Sequence, residues 1–139
     1  LQFLESQLSK HQIQNVLVHE EIGPNEIPLL LKQCVGGLIF LDRRHKTHNI
    51  PGKITDYFQA GLPVLAFINE GNDLVEILEA NRVGIAITSS DHVQINRSID
   101  QFLRLARENN AVSQRCIDLS QNFFSVSKAA GQIIESLSK

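Results

Sequence analysis

Methionine is absent from this 139-residue sequence, and cysteine is scarce. A natural chain normally starts with methionine, so a sequence that begins at Leu1 and contains none predicts a piece cut out of a longer protein. The two cysteines, Cys34 and Cys116, form no Cys-x-x-Cys pair, which argues against a disulfide framework or a zinc site. We therefore expect both thiols to be reduced and buried, in a cytosolic compartment.

A strong charge of either sign is also lacking, and so is a long apolar run. The 13 basic and 15 acidic residues leave a formal net charge of -2, which gives no electrostatic footprint for nucleic acid. No apolar stretch approaches the ~20 residues that a membrane helix needs. Hydrophobic residues make up 42% of the chain, enough for the packed core of one domain. We expect a cytoplasmic location and allow for peripheral contact with the inner face of the cytoplasmic membrane.

Apolar runs alternate with helical patterns along the chain, and this alternation predicts the fold. A parallel sheet with helices on both faces is the arrangement that such a pattern favours. The run at 35–41, VGGLIFL, is typical of a strand buried on both faces. In parallel sheets ligands bind at the carboxyl ends of the strands, which directs attention to the loop after Leu41 and the helix after Pro51. The predicted strands are 15–19, 35–41, 63–68 and 83–87.

Helices are predicted in the segments between these strands and after the last of them. Pro51 and Gly61 bracket one helix, because proline is favoured in the first turn and glycine just past the end. Asn72 or Asp73 caps another. The predicted helices lie at 1–8, 27–34, 51–60 and 73–80, then along a face formed by Val93, Ile99, Phe102, Leu103 and Ala106, then at 112–119, and last after a cap at Ser125.

The helix after Pro51 carries the most informative pattern of polar residues. Ile54 and Phe58 are four residues apart and should face the sheet, whereas Gly52, Lys53 and Asp56 share another face. Helix N-termini bind phosphates through their N–H groups and dipole, and a carboxylate further along could accept hydrogen bonds from two sugar hydroxyls. The alternative interpretation is a solvated helix face. Dinucleotide-binding and Walker A signatures are both absent from the sequence.

Residues 48–63, HNIPGKITDYFQAGLP, resemble the signature of the family 4 retaining glycosyltransferases, which have the GT-B fold. In that pattern an acidic residue and seven further residues precede a second acidic residue, which opens a run like E-A-M-A-A-G-x-P-V. Residues 56–64 match the second half of it. The sequence NIPGK at 49–53 is closer still to enzymes that build O-antigen and capsule, including the N-acetyl-L-fucosamine transferases. The resemblance extends over residues 14–138.

The resemblance implies that residues 1–139 form the C-terminal, Rossmann-like donor-binding domain of a longer two-domain enzyme and lack the first strands of that domain. It implies that Asp56 binds the ribose hydroxyls of the nucleotide, and that Glu20, Glu21 and Ile22 form the wall around the base. The backbone at Ile50, Pro51, Gly52, Lys53 and Ile54 would contact the diphosphate and the donor sugar.

The sequence departs from the family pattern at its first acidic position, which falls on His48, the candidate catalytic residue. Asp56 is also one methylene shorter than the glutamate of the pattern. The Arg and Lys clamp of the family lies upstream of this chain. His45 and His48 with Asp42 could form a metal site, but a polar loop is the favoured interpretation, so we expect neither a metal nor a cofactor.

The function implied by the resemblance is transfer of a sugar, with retention, from a nucleotide diphosphate sugar, most simply a UDP-sugar. The acceptor would be a lipid-linked sugar of a bacterial surface polysaccharide such as lipopolysaccharide O-antigen or capsule, bound mainly by the N-terminal domain. The fragment alone is expected to be inactive. Two alternatives stay open: a non-catalytic nucleotide-binding α/β module, and a nucleotide-sugar epimerase with the same overall fold.

Overall fold

The computed structural model describes residues 1–42, 44, 50–108, 110–124 and 126–137. A three-stranded parallel sheet lies at its centre, in the order β1-β2-β3, with Gly37 of β1 opposite Val64 of β2, and Val64 opposite Gly84 of β3. The predicted α/β class is therefore confirmed. The strands are β1 (Gly37–Phe40), β2 (Val64–Phe67) and β3 (Gly84–Ile87); the helices are α1 (Gln2–Lys10), α2 (Ile27–Leu31), α3 (Lys53–Gln59), α4 (Asp73–Ala80), α5 (His92–Ala106), α6 (Asn110–Phe123) and α7 (Val126–Leu137).

Alternating side chains of β2 divide the core between the two faces of the sheet. Val64 and Ala66 belong to the larger cluster, which packs against α3, α4 and α6. Leu65 lies in the smaller cluster, together with Ile87 of β3 and Phe102 of α5. Both crossover helices, α3 and α4, pack on one face because successive parallel connections that share a hand and a direction return on the same side. Helices on both faces of the sheet are thus confirmed.

The ends of two helices follow the predicted capping chemistry. The Asn72 side chain accepts a hydrogen bond of 3.0 Å from the Leu74 N–H at the start of α4. Gly61, just past α3, has a φ of +72°, and the Leu62 N–H reaches back to the Tyr57 carbonyl at 2.8 Å. This is the Schellman arrangement, in which a left-handed glycine ends a helix.

Residues 15–19, predicted as a strand, are not part of the sheet, and that prediction was wrong. Their apolar composition favours extended backbone, but a strand forms only when its N–H and C=O groups find a neighbouring strand. Leu17 is instead 82% exposed. β1 also differs from the expectation of burial on both faces, because it is an edge strand whose Leu38 and Phe40 side chains are exposed.

Helix positions differ from the predictions at several points. α2 ends at Leu31, so Cys34 lies beyond it and is exposed rather than buried in the core. On α5, Val93 and Leu103 are exposed, and the face that packs on the sheet is formed by Ile95, Ile99 and Phe102. α3 starts at Lys53 instead of Pro51, and α6 is longer than the predicted 112–119. Ser125, the predicted cap of the last helix, lies outside the described residues.

The two thiols should differ sharply in reactivity. Burial raises the pKa of the Cys116 thiol to about 12, whereas Cys34 is exposed. Because the thiolate is the reactive form, we expect a disulfide reagent at about pH 8 to label one thiol in the native protein and both after denaturation. Cys34→Ser should abolish labelling of the native protein. Rapid native labelling of Cys34→Ser would show that Cys116 is accessible.

None of the helices in the described ranges has the length and apolar character that crossing a membrane requires.

Candidate functional site

The candidate site is built on α3, which starts after the loop that leaves the carboxyl end of β1. Ile54 and Phe58 are fully buried against the sheet and fix the orientation of the helix. The spacing predicted this packing. Gly52, Lys53 and Asp56 are all exposed on the outer side. The burial of two large apolar side chains therefore holds the three polar-face positions toward solvent.

The turn that opens α3 uses some of the backbone groups that were expected to bind phosphate. The Ile54 N–H donates to the Pro51 carbonyl at 3.1 Å, and the Thr55 N–H donates to the Gly52 carbonyl at the same distance. The Thr55 hydroxyl adds a second hydrogen bond to that carbonyl, at 2.6 Å. Ile54 thus offers a ligand neither its side chain nor a free N–H. Phosphate contacts at this turn would therefore fall to the main chain at Gly52 and to the side chain of Lys53.

Gly52 is the open point of this turn. A Cβ built at Gly52 would meet nothing within 4 Å in the described structure, and its φ of -55° is ordinary helical backbone. A ligand could therefore approach the main chain there closely. Ile50, two residues earlier, is half-buried and packs against the larger core cluster, which anchors the start of the turn.

A cavity of about 590 Å³ lies between α2 and α3 and reaches Asp56. Its apolar wall comes from α2 and the residues just before it, and its polar groups come from both helices. The volume is in the range of small-molecule sites, which are mostly apolar with a few polar groups that fix orientation. The lining residues are Pro24, Ile27, Pro28, Leu31, Lys32, Asp56, Gln59 and Ala60.

The loop that the resemblance assigned to the nucleotide base comes just before Pro24, the first residue in the chain that lines this cavity. Glu21 is exposed and Ile22 is half-buried, and the chain then reaches Pro24 on the cavity wall. Asp56 thus lines the cavity, whereas Glu21 and Ile22 are not among its lining residues. Lys32 and the apolar face of α2 were not predicted as site residues. In the sequence they belong to a short apolar helical pattern, and such a pattern cannot be distinguished from that of a helix packed in the core.

A second cavity, of about 720 Å³, lies beside α4 and has a different character. Glu70, Asp73, Glu76 and Glu79 all line it. Four carboxylates would repel a diphosphate at neutral pH, because like charges in one site disfavour each other. This cavity therefore suits a nucleotide diphosphate less well than the cavity at Asp56, where Lys32 is the neighbouring charge.

His48, the candidate catalytic residue, and His45 lie outside the described residues. Of the proposed metal-site residues, Asp42 is described, and its carboxylate pairs with the Arg44 guanidinium at 2.5 Å. That hydrogen bond raises the pKa of Arg44. Across the part of the chain that the structure describes, no three His, Cys, Asp or Glu side chains are grouped to hold a metal ion.

No protein family, curated protein or solved structure was found to match this chain.

Proposed function

We propose that this chain is the donor-binding part of a retaining glycosyltransferase that uses a nucleotide diphosphate sugar, most simply a UDP-sugar. The resemblance of residues 48–63 to family 4 enzymes of the GT-B fold supports the proposal. The single observation that carries it is the exposed carboxylate of Asp56 on a cavity whose opposite wall is formed by Ile27, Pro28 and Leu31. A nucleotide needs both a diol acceptor and a flat apolar wall.

The geometry suggests one placement for the nucleotide. The diphosphate would lie at the open Gly52 and beside the Lys53 ammonium, at the start of α3. Asp56 follows three residues after Lys53, so their positions differ by about 4.5 Å along the helix axis. The Asp56 carboxylate can accept hydrogen bonds from both ribose hydroxyls. The base would then enter the cavity between Ile27 and Pro28 of α2 and the side of α3.

Catalysis in this proposal comes from positioning and from stabilising the departing diphosphate. The start of α3 would contribute through Lys53 and the main chain at Gly52. α3 has only seven residues, so its dipole adds little, and the Lys53 charge is the stronger local contribution. His48 is the proposed catalytic side chain. The acceptor, a lipid-linked sugar of a bacterial surface polysaccharide, would bind mainly to the N-terminal domain of the enzyme.

Titration of the 139-residue chain with UDP, followed by amide chemical shifts, tests the proposal. We expect saturable shifts at Gly52, Lys53, Asp56 and Ile27. Binding should be weak, because the upstream clamp of the family is not in this sequence. Absence of shifts at millimolar UDP, or shifts confined to the cavity beside α4, would contradict the proposed site.

Replacing Gly52 by alanine separates close approach of a ligand from protein stability. Among the described residues the new Cβ meets open space, and the backbone is already helical, so thermal stability should stay the same or rise by about 0.4–1 kcal/mol. UDP binding should weaken by roughly tenfold, or about 1.4 kcal/mol, because the methyl group blocks the main chain. Gly131→Ala, in α7, is the matched control, since its Cβ also meets nothing within 4 Å in the described part of the chain. Unchanged UDP affinity in Gly52→Ala would show that the diphosphate does not bind at this turn.

A further inference from the structure

Three polar side chains line the cavity between α2 and α3. Asp56 and Gln59 come from α3, and Lys32 is the residue that ends α2. Each is exposed, and none of the three side chains makes a hydrogen bond or an ion pair with another residue in the described part of the chain. The other side chains that line the cavity are apolar. Side-chain recognition of the polar atoms of a ligand therefore falls to these three residues.

The polar residues of α3 follow one another in the same order as the parts of a nucleotide. Lys53, Asp56 and Gln59 are spaced three residues apart, which separates neighbours by about 4.5 Å along the helix axis. In the proposed function Lys53 contacts the diphosphate and Asp56 contacts the ribose hydroxyls. The next step along the helix, at Gln59, then lies beside the base. This inference therefore rests on the proposed function and concerns the base that the same site accepts.

The two side chains that remain for the base differ in what they can recognise. The Gln59 carboxamide has an acceptor oxygen and a donor NH₂ group, and it can turn over to present either one. It therefore discriminates poorly between bases. The Lys32 ammonium has three donors and no acceptor. It can bind a carbonyl oxygen of the base, whereas an exocyclic amino group in the same place would put two donors against each other.

We propose that Lys32 is a specificity-determining residue that selects uracil over cytosine. The two bases have the same ring, but uracil carries a carbonyl oxygen where cytosine carries an amino group. That substituent lies on the side of the ring farthest from the ribose. With the ribose held at Asp56, it is the part of the base that extends furthest across the cavity. The Lys32 ammonium donates to this oxygen, and the Gln59 carboxamide accepts from the neighbouring ring N–H.

Titration of the 139-residue chain with UDP and with CDP tests the selection, because the two ligands differ only in the base. We expect UDP to bind roughly tenfold more tightly than CDP. Lys32→Met keeps an apolar side chain of similar length but removes the ammonium. It should weaken UDP by roughly tenfold and leave CDP nearly unchanged, so that the preference disappears. Lys10→Met on α1 is the matched control, since Lys10 is also exposed but does not line the cavity.

The same titrations distinguish a failure of this inference from a failure of the proposed function. Equal affinity of the wild type for UDP and CDP, with both weakened in Asp56→Ala, would support the proposed site and overturn the role of Lys32. An equal loss of UDP and CDP affinity in Lys32→Met would also overturn it, because the ammonium would then act on the diphosphate and not on the base. Absence of binding of either nucleotide would overturn both the proposed function and this inference.

Discussion

Replacing Gly61 by alanine should lower the free energy of unfolding by about 2–5 kcal/mol, the sum of two separate costs. Gly61 has a φ of +72°, where an L-residue with a Cβ costs about 1–2 kcal/mol. The added Cβ would also collide with the Ser113 hydroxyl oxygen of α6, and forced overpacking of a core adds about 1–3 kcal/mol. The Ser113 Cβ, at 3.3 Å, leaves little room for relief. Chemical denaturation of the two proteins measures the difference.

Two control variants separate the backbone cost from the collision. Gly71 has a φ of +78°, and a Cβ there would meet nothing within 4 Å in the described structure, so Gly71→Ala should show the backbone cost alone. Adding Ser113→Ala to Gly61→Ala removes the nearest atom and should restore part of the lost stability. If Gly61→Ala costs no more than Gly71→Ala, α3 and α6 are not packed as closely as the structure shows.

Gly61 illustrates which parts of the fold could be predicted from the sequence. Its role as the residue that ends α3 is local, because a glycine just past a helical pattern supplies the left-handed conformation of a cap. Its contact with Ser113 joins residues far apart in the sequence, and no local pattern records such a contact. The same division explains α5, where the helix was predicted but Val93 and Leu103 were placed on the wrong face. Only the position of the packed helix determines that Ile95 and Ile99 face the sheet.

The strands divide in a similar way. The apolar run at 63–68 forms β2, which lies between two strands, and the run at 83–87 forms β3, which pairs with β2 along one edge. Residues 15–19 have the same composition but no paired neighbour in the described chain, and they are not a strand. In the described sheet β1 and β3 each pair along one edge only. Whether a segment forms a strand depends on a neighbouring strand to pair with, and the pattern of apolar residues does not reveal that neighbour.

The part of the candidate site that depends only on helix geometry could be predicted from the sequence. Gly52, Lys53 and Asp56 are close in sequence, so their common exposed face followed from spacings of three and four residues. The cavity next to Asp56 depends on the position of α2 beside α3. Lys32 therefore entered the site only through the structure. The loop near Ile22 was proposed from the resemblance, and the structure shows the cavity wall starting after it, at Pro24.

Replacing Asp56 by alanine should weaken UDP binding by tenfold or more. Each hydrogen bond to a charged group contributes roughly 1.5–3 kcal/mol, and the Asp56 carboxylate can accept one from each ribose hydroxyl. The loss of one such bond alone corresponds to about a factor of ten in affinity. Asp56 is exposed on α3, so its removal should leave the fold intact. Titration of UDP into both proteins gives the affinities, and thermal melts confirm that both are folded.

Three further variants determine what the Asp56 result means. Asp56→Asn keeps the size and one acceptor oxygen but removes the charge, so its affinity should fall between those of the wild type and Asp56→Ala. Lys53→Ala should weaken UDP but not uridine, since the ammonium would contact phosphate only. Glu76→Ala removes an exposed carboxylate from the cavity beside α4 and should leave UDP affinity unchanged. Equal UDP affinity in well-folded wild type and Asp56→Ala would eliminate Asp56 as the nucleotide-recognising residue, whereas a loss shared by Glu76→Ala would point to a general effect of charge.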